Sequence, residues 1–194
     1  MQTFSAVYDS YNQAEQSVHA LEAAGVPRSD IGLVANKYVS DTYADVEEVS
    51  AARTGAGIGA AVGGGAGLLT GIGLMAIPGL GPVVAAGWFA ATALGAVAGS
   101  VTGGVVGALV DAGTSEPVAH VYSESVRRGG TLVTVRTDHV PDQVQGILNR
   151  YEPIDPSVRR REYEQTGWKG FDPAAAAYRP DETEIERMRR RYDA

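Results

Sequence analysis

The chain has 194 residues, a length that fits one domain of ordinary size with some additional chain. It contains no cysteine, which excludes disulfide bonds, thiolate metal sites, iron–sulfur clusters and thiol catalysis. The net charge of -7 argues against a general nucleic-acid-binding protein, because phosphate binding needs clustered lysine and arginine. Residues 1–13 lack a basic region followed by an apolar one, so we expect no secretory signal and a cytoplasmic N-terminus.

Charge is distributed unevenly along the chain, and this divides it into segments. No charged residue occurs between Arg53 and Asp111, whereas the end of the chain is rich in both signs. A soluble surface rarely lacks charge over such a length, so the uncharged stretch is a separate structural unit. The predicted segments are 1–50, a first half-domain; 51–113, an insert; 114–156, a second half-domain; and 157–194, a tail.

The first half-domain has the pattern of a β-α-β unit. Apolar and polar residues alternate over residues 3–8, which predicts a strand. Ser10 is a suitable N-cap for a helix that repeats apolar residues at helical spacing and ends at Gly25. Residues 30–36 form the second predicted strand.

The second half-domain continues the alternation of helices and strands. Thr114 or Ser115 caps a predicted helix, residues 131–136 form the clearest strand of the sequence, and Pro141 lies in the first turn of another helix. Ile154 marks a possible short closing strand. The order predicts an α+β fold: a ferredoxin-like sandwich with helices on one face, interrupted after its second strand by the insert.

Small residues recur every four positions in the insert, in two runs separated by the turn Pro78-Gly79-Leu80-Gly81-Pro82. Such a ridge lets a second helix approach closely and is typical of a glycine zipper. We therefore predict an αα-hairpin with arms 54–77 and 82–110. The predicted helix-packing residues are Gly55, Gly59, Gly63, Gly67, Gly71, Gly87, Gly95, Gly99, Gly103 and Gly107.

Two environments would suit this hairpin. At 1.5 Å per residue the arms would span roughly 36 and 43 Å, enough to cross a hydrocarbon layer of about 30 Å. The alternative is a helical oligomer in water, in which copies of the hairpin hide their small-residue faces. The acidic flank 41–48 counts against the membrane. If both half-domains share one sheet, both ends of the insert must emerge on the same side.

The tail combines aromatic residues with a charged terminal helix. Trp168, Phe171 and Tyr178 are spaced by glycine, proline and alanine and resemble anchors of a docking segment. The last stretch has Asp181 as a suitable N-cap and arginines in its final turn. The predicted tail docking residues are Trp168, Phe171, Tyr178, Ile185, Met188 and Tyr192. We expect them to bind a neighbouring subunit or another protein; a solvated tail is the alternative.

Patterns that indicate catalysis or cofactor binding are weak. His19, His120 and His139 lie on different predicted elements without acidic residues at ligand spacing, which favours structural roles over a metal site. The glycines of 55–60 do not follow a strand directly, as a dinucleotide-binding loop requires. We expect no catalytic residue, no cofactor and no metal.

Three stretches together resemble a known family: FSAVYDSYNQAEQSVHALEAAGVPRSDIGLV, the uncharged AIPGLGPVVAAG, and RRGGTLVTVRTD. They are similar to the bacterial general stress protein family of the 17M type, also found as glycine-zipper membrane or heat-induced proteins. The resemblance covers about residues 3–156, and GWKGFDPAAAAYRP resembles tails seen on some members. It implies a ferredoxin-like shell around a hairpin and a role in stress, and it supplies no catalytic residue.

These patterns lead to one functional hypothesis and one alternative. The first is a non-enzymatic, stress-associated scaffold that self-assembles through the hairpin in or on the cytoplasmic membrane, with both termini cytoplasmic. The alternative is a homo-oligomeric interaction module of the cytoplasm whose tail docks a partner protein. The expected partners are the chain itself, membrane lipid and a protein bound by the tail, and nucleic acid is not among them.

Overall fold

The computed structural model describes residues 2–36, 73–77, 80–89, 92, 104–138 and 141–175. Helices and an antiparallel sheet make up this part of the chain, which is an α+β fold. Its elements, in order, are β1 (Gln2–Tyr8), α1 (Tyr11–Ala23), a short 3-10 helix (Arg28–Asp30), β2 (Ile31–Asn36), β3 (Gly73–Ile77), β4 (Gly81–Ala86), α2 (Val105–Asp111), α3 (Glu116–Arg127), β5 (Thr131–Thr137), α4 (Pro141–Arg150) and α5 (Pro156–Gln165).

The sheet joins the two half-domains. Its strand order is β1-β5-β2-β4-β3, and each neighbouring pair is antiparallel. Leu132 of β5 lies opposite Val7 of β1 on one side and Val34 of β2 on the other. The prediction that both half-domains share one sheet is therefore confirmed.

Local sequence signals account for the first β-α-β unit. The Ser10 hydroxyl accepts a hydrogen bond from the Gln13 amide and starts α1, as its N-cap position predicts. Gly25 has a φ of 88° and ends the helix, a backbone conformation that favours glycine. Val18 and Leu21 face the core from α1 and are fully buried.

Helices cover both faces of the sheet. Tyr8 and its neighbours in the strands pack against α1 and α4, while Val7 and the alternate strand residues pack against α2, α3 and α5. The predicted sandwich with helices on one face is therefore wrong. Every residue of β2 is buried, which requires a layer on each side of the sheet.

The centre of the insert is a β-hairpin. Residues 73–77 and 82–86, predicted to lie in helical arms, belong to β3 and β4, and Ile77 lies opposite Gly81. β4 in turn pairs with β2. A proline-glycine turn serves a β-hairpin as well as a helical one. The edge of β2, which would otherwise lack hydrogen-bond partners, favours the strands.

Ile154 does not lie in a strand, contrary to the prediction of a closing strand. Its amide donates a hydrogen bond of 2.8 Å to the carbonyl oxygen of Val7, on β1. Its side chain is buried in the same core cluster as Val7. The chain then begins α5 at Pro156, with Asp155 as N-cap, so this contact stays a single hydrogen bond.

Candidate functional site

Most of the predicted zipper glycines fall outside the described residues. Gly87 and Gly107 are the exceptions, and the structure places them in different environments. Gly107 lies on α2, a helix that packs against α3. The remaining zipper positions, which the structure does not describe, are Gly55, Gly59, Gly63, Gly67, Gly71, Gly95, Gly99 and Gly103.

Gly87 follows β4 and does not lie on a long zipper helix, which corrects its predicted role. Its φ is 78°, and a Cβ atom at this position would lie 1.9 Å from the carbonyl oxygen of Ile31. Glycine is thus required here because the backbone must pass close to the start of β2. The close approach is between backbone and strand, not between two helices.

Next to Gly87, two aromatic residues, Trp88 and Phe89, pack against the domain. The Arg136 guanidinium lies 4.6 Å from the Trp88 ring centroid and donates to the Asp30 carboxylate at 3.1 Å. The Phe89 side chain is fully buried, with its ring perpendicular to that of Trp88. Among the described helices, none has the length and apolar character needed to cross a bilayer.

The tail aromatics that the structure describes pack on their own chain. We call residues 166–175 the strap. Phe171 is 7% exposed and belongs to the core, and Trp168 is half-buried with its ring edge-on to Tyr163 at 5.6 Å between centroids. Their predicted role as anchors on another molecule is therefore corrected. The other predicted docking residues, Tyr178, Ile185, Met188 and Tyr192, lie outside the described residues.

His120 binds the strap through its imidazole. The Phe171 amide donates a hydrogen bond to His120 Nδ1 at 3.1 Å, and Nε2 lies 3.9 Å from the Glu116 carboxylate. The histidine on α3 therefore has structural contacts, and the acidic residue four positions before it corrects the prediction that none lies at ligand spacing. In the described ranges, no three His, Cys, Asp or Glu side chains are grouped to hold a metal ion. His139 lies outside those ranges.

Glu124 on α3 is the centre of a buried charge network that sequence reasoning missed. Its side chain is 1% exposed and accepts hydrogen bonds from Arg127 at 2.6 and 2.9 Å and from Arg128 at 2.6 Å. A carboxylate this deeply buried needs such partners, because its desolvation would otherwise be too costly. The sequence signal for this network was the position of Arg127 and Arg128, three and four residues after Glu124 along a helix.

The same region binds α5 to the rest of the domain. Arg159 donates to both carboxylate oxygens of Asp9, at 2.7 and 2.8 Å. Tyr163 shares a 3.0 Å hydrogen bond with Ser125, and the Arg128 guanidinium lies 4.4 Å from its ring centroid. Burial raises the pKa of the Tyr163 phenol, and the hydrogen bond with Ser125 partly offsets this effect. The neutral Tyr163 phenol thus contacts Ser125 on α3 and Arg128 at the end of that helix.

Comparison of the chain with protein-family models, curated proteins and solved structures finds no match in any of the three. The resemblance to general stress proteins of the 17M type stays a prediction. In the described residues, the best-formed cluster of charged side chains is one in which carboxylates and guanidiniums bind each other. Such an arrangement can fix α3, α5 and the end of β1 relative to one another.

Proposed function

We propose that this protein is a non-catalytic, stress-associated scaffold that self-associates through its uncharged, glycine-rich segment, residues 54–110. The observation that carries this is the pairing of β4 with β2, which anchors the middle of that segment on the domain sheet. In this proposal the α+β domain is the base, and the glycine runs at 55–71 and 95–103 make the contact between copies.

The composition of the segment supports association with a partner surface. Glycine costs about 1 kcal/mol per helical position relative to alanine, so small-residue runs gain stability mainly when another backbone packs closely against them. The ridge spacing of four residues suits packing against an identical ridge on a second copy. Copies of the same chain are therefore the partner that we propose.

We place the association between copies of the chain and not across a bilayer. A hairpin that crosses twice carries its turn to the far side of the membrane. Here, the strands that precede and follow residues 78–80 belong to the sheet of the domain itself, and Leu80 is fully buried in its core. This supports the cytoplasmic alternative over the two-crossing arrangement.

The contacts of the buried charges support a structural role over a catalytic one. Glu124 is bound by two guanidiniums and Asp9 by a third. Active sites typically hold titratable groups with strongly shifted pKa values in a cleft, aimed at a substrate. The Glu124 network instead connects helices with each other.

We also propose a ferredoxin-like origin for part of the domain. Apart from β3, β4, α2 and α3, which come between β2 and β5, the chain order is β1, α1, β2, β5 and α4. β5 lies between β1 and β2 in the sheet, and α1 and α4 pack together on one face. This is the order of the split β-α-β arrangement. The hydrogen bond from Ile154 to Val7 lies on β1, where a fourth strand of that fold would pair.

Replacing Gly63 and Gly99 together with leucine tests the self-association. Side chains of this size would separate the packed ridges, so the mass measured by light scattering should fall from an oligomer to a monomer. Gly146→Leu is the matched control, because Gly146 on α4 has open space around it and should leave the mass unchanged. An unchanged oligomer in the double variant would contradict association through the glycine ridges.

Extraction of cell membranes with alkaline carbonate tests whether the copies associate outside the bilayer or within it. We expect the chain in the supernatant, as an oligomer. Retention in the carbonate-washed pellet would show insertion into lipid and would overturn that placement.

A further inference from the structure

The strap is held by a contact whose chemistry depends on protonation. In the described part of the chain, the strap is hydrogen-bonded to α3 from the Phe171 amide to His120 Nδ1, at 3.1 Å. Gly170 packs beside the same imidazole, since a Cβ atom built on it would lie 3.7 Å from Nδ1. The strap backbone thus lies directly against the ring.

The direction of this hydrogen bond fixes the state of the imidazole. An amide can only donate, so Nδ1 must present a lone pair and the neutral ring must carry its hydrogen on Nε2. Protonation places a second hydrogen on Nδ1, pointing at the amide hydrogen of Phe171. The hydrogen bond is then lost, and a partly buried amide is left without its acceptor.

We propose that the strap is a pH-sensitive latch: protonation of His120 releases residues 166–175 from α3 and exposes Trp168 and Phe171. A lower pH favours the protonated ring, so the latch is closed at alkaline pH and opens as the pH falls. Phe171 is 7% exposed when the strap is closed. Opening therefore uncovers an apolar surface that the closed form hides.

The charged groups near His120 affect this release only weakly. Glu116, on the same helix, lies 3.9 Å from Nε2 and favours the protonated ring, and therefore release, but its side chain is 68% exposed. An exposed pair of this kind is strongly screened by water. On the strap, Lys169 and Asp172 flank Phe171 with opposite charges. Among the described residues of α2 and α5, none forms an ion pair with His120.

Quenching of Trp168 fluorescence measures the latch in the full-length protein. Trp88→Phe removes the only other tryptophan of the sequence. We expect accessibility to acrylamide to rise several-fold between pH 8 and pH 5.5, because the indole loses its packing against Tyr163. Accessibility that stays constant over this range would overturn the latch.

Substitutions at His120 separate the titration of this residue from a general loosening of the fold. His120→Asn keeps an acceptor near the position of Nδ1 but does not titrate, so Trp168 should stay protected at both pH values. His120→Ala removes the acceptor, so the population of the open strap should rise about tenfold even at pH 8. Trp168 should then be accessible at both pH values. A pH transition that persists unchanged in His120→Asn would contradict the assignment.

Two further variants serve as controls. Glu116→Gln removes the group that favours the protonated ring, so the transition should move to lower pH. His19→Asn, on the opposite helical layer, should leave it in place. A transition that follows His19 would assign the pH dependence to that histidine and overturn the role of His120.

Discussion

At the scale of single residues, Gly32 shows how closely the insert packs on the sheet. A Cβ atom on Gly32 would lie 2.5 Å from Thr134 Oγ1 and 2.6 Å from the Phe89 Cβ atom. Gly32→Ala should therefore destabilise the fold by about 1–3 kcal/mol, the usual cost of overpacking a core. Urea unfolding followed by circular dichroism measures the difference.

Gly146→Ala is the matched control for this substitution. Gly146 lies inside α4, and a Cβ atom built there meets no heavy atom within 4 Å. Alanine at such a helical position should stabilise the protein by about 0.5–1 kcal/mol. Equal changes in the free energy of unfolding for the two substitutions would show that Phe89 does not pack closely against Gly32 of β2.

Sequence reasoning succeeds where a residue acts on its own neighbours and fails where its partner is distant. Ser10 and Gly25 start and end α1 as predicted, because capping depends on residues three or four positions away. The roles of Gly32 and Gly87 depend on Phe89 and Ile31, which belong to other segments. No local pattern contains that information.

At the scale of elements, the strap is an integral part of the domain. Ending the chain after Gln165 removes Trp168 and Phe171 from their packing sites. A fully buried phenylalanine contributes about 1.5–3 kcal/mol, and the ordering of the strap opposes this. The free energy of unfolding should fall by on the order of 2 kcal/mol.

A second truncation, after Ala175, provides the comparison. It leaves every strap contact described above in place, so the free energy of unfolding should change by less than about 0.5 kcal/mol. Equal stability of both truncated chains would mean that the strap contributes no net stability to the domain.

The remaining differences between prediction and structure also lie in elements. The uncharged residues 73–77 and 82–86 lie between the two glycine runs and are predicted to be helical, yet β4 pairs with β2 and β3 pairs with β4. Pairing with a strand far away in the sequence overrides the local pattern, so these strands could not be predicted from the sequence. α5 was within reach, because Asp155 and Pro156 form a helix start, with the Asp155 carboxylate accepting from the amides of Ser157 and Val158.

At the scale of the whole molecule, the insert supplies part of the core. From the sequence, a chain with residues 51–113 deleted would be expected to fold as a monomer. Deletion of this segment removes Leu80, Phe89 and Leu109, all fully buried. Their burial is worth about 5–9 kcal/mol, comparable with the total stability of a domain. We now expect this deletion to abolish cooperative urea unfolding.

Replacing residues 38–72 with a flexible linker of about twelve residues is the control. This change keeps β3, β4 and every contact described here, so cooperative unfolding should persist. It also removes the first glycine run, and the product should be monomeric. Cooperative unfolding of the chain lacking 51–113 would show that the second helical layer needs no support from the insert.

The position of β5 between β1 and β2 affects how the protein is made. β2 leaves the ribosome about 100 residues before Leu132, the residue that pairs with its Val34. At 5–20 residues per second, the nascent chain therefore holds β1 and β2 without their shared neighbour for about 5–20 s. Throughout that interval the apolar, glycine-rich segment is being synthesised beside unpaired strands. Unpaired strand edges and exposed apolar surface favour aggregation, so faster synthesis should increase the aggregated fraction of newly made chains.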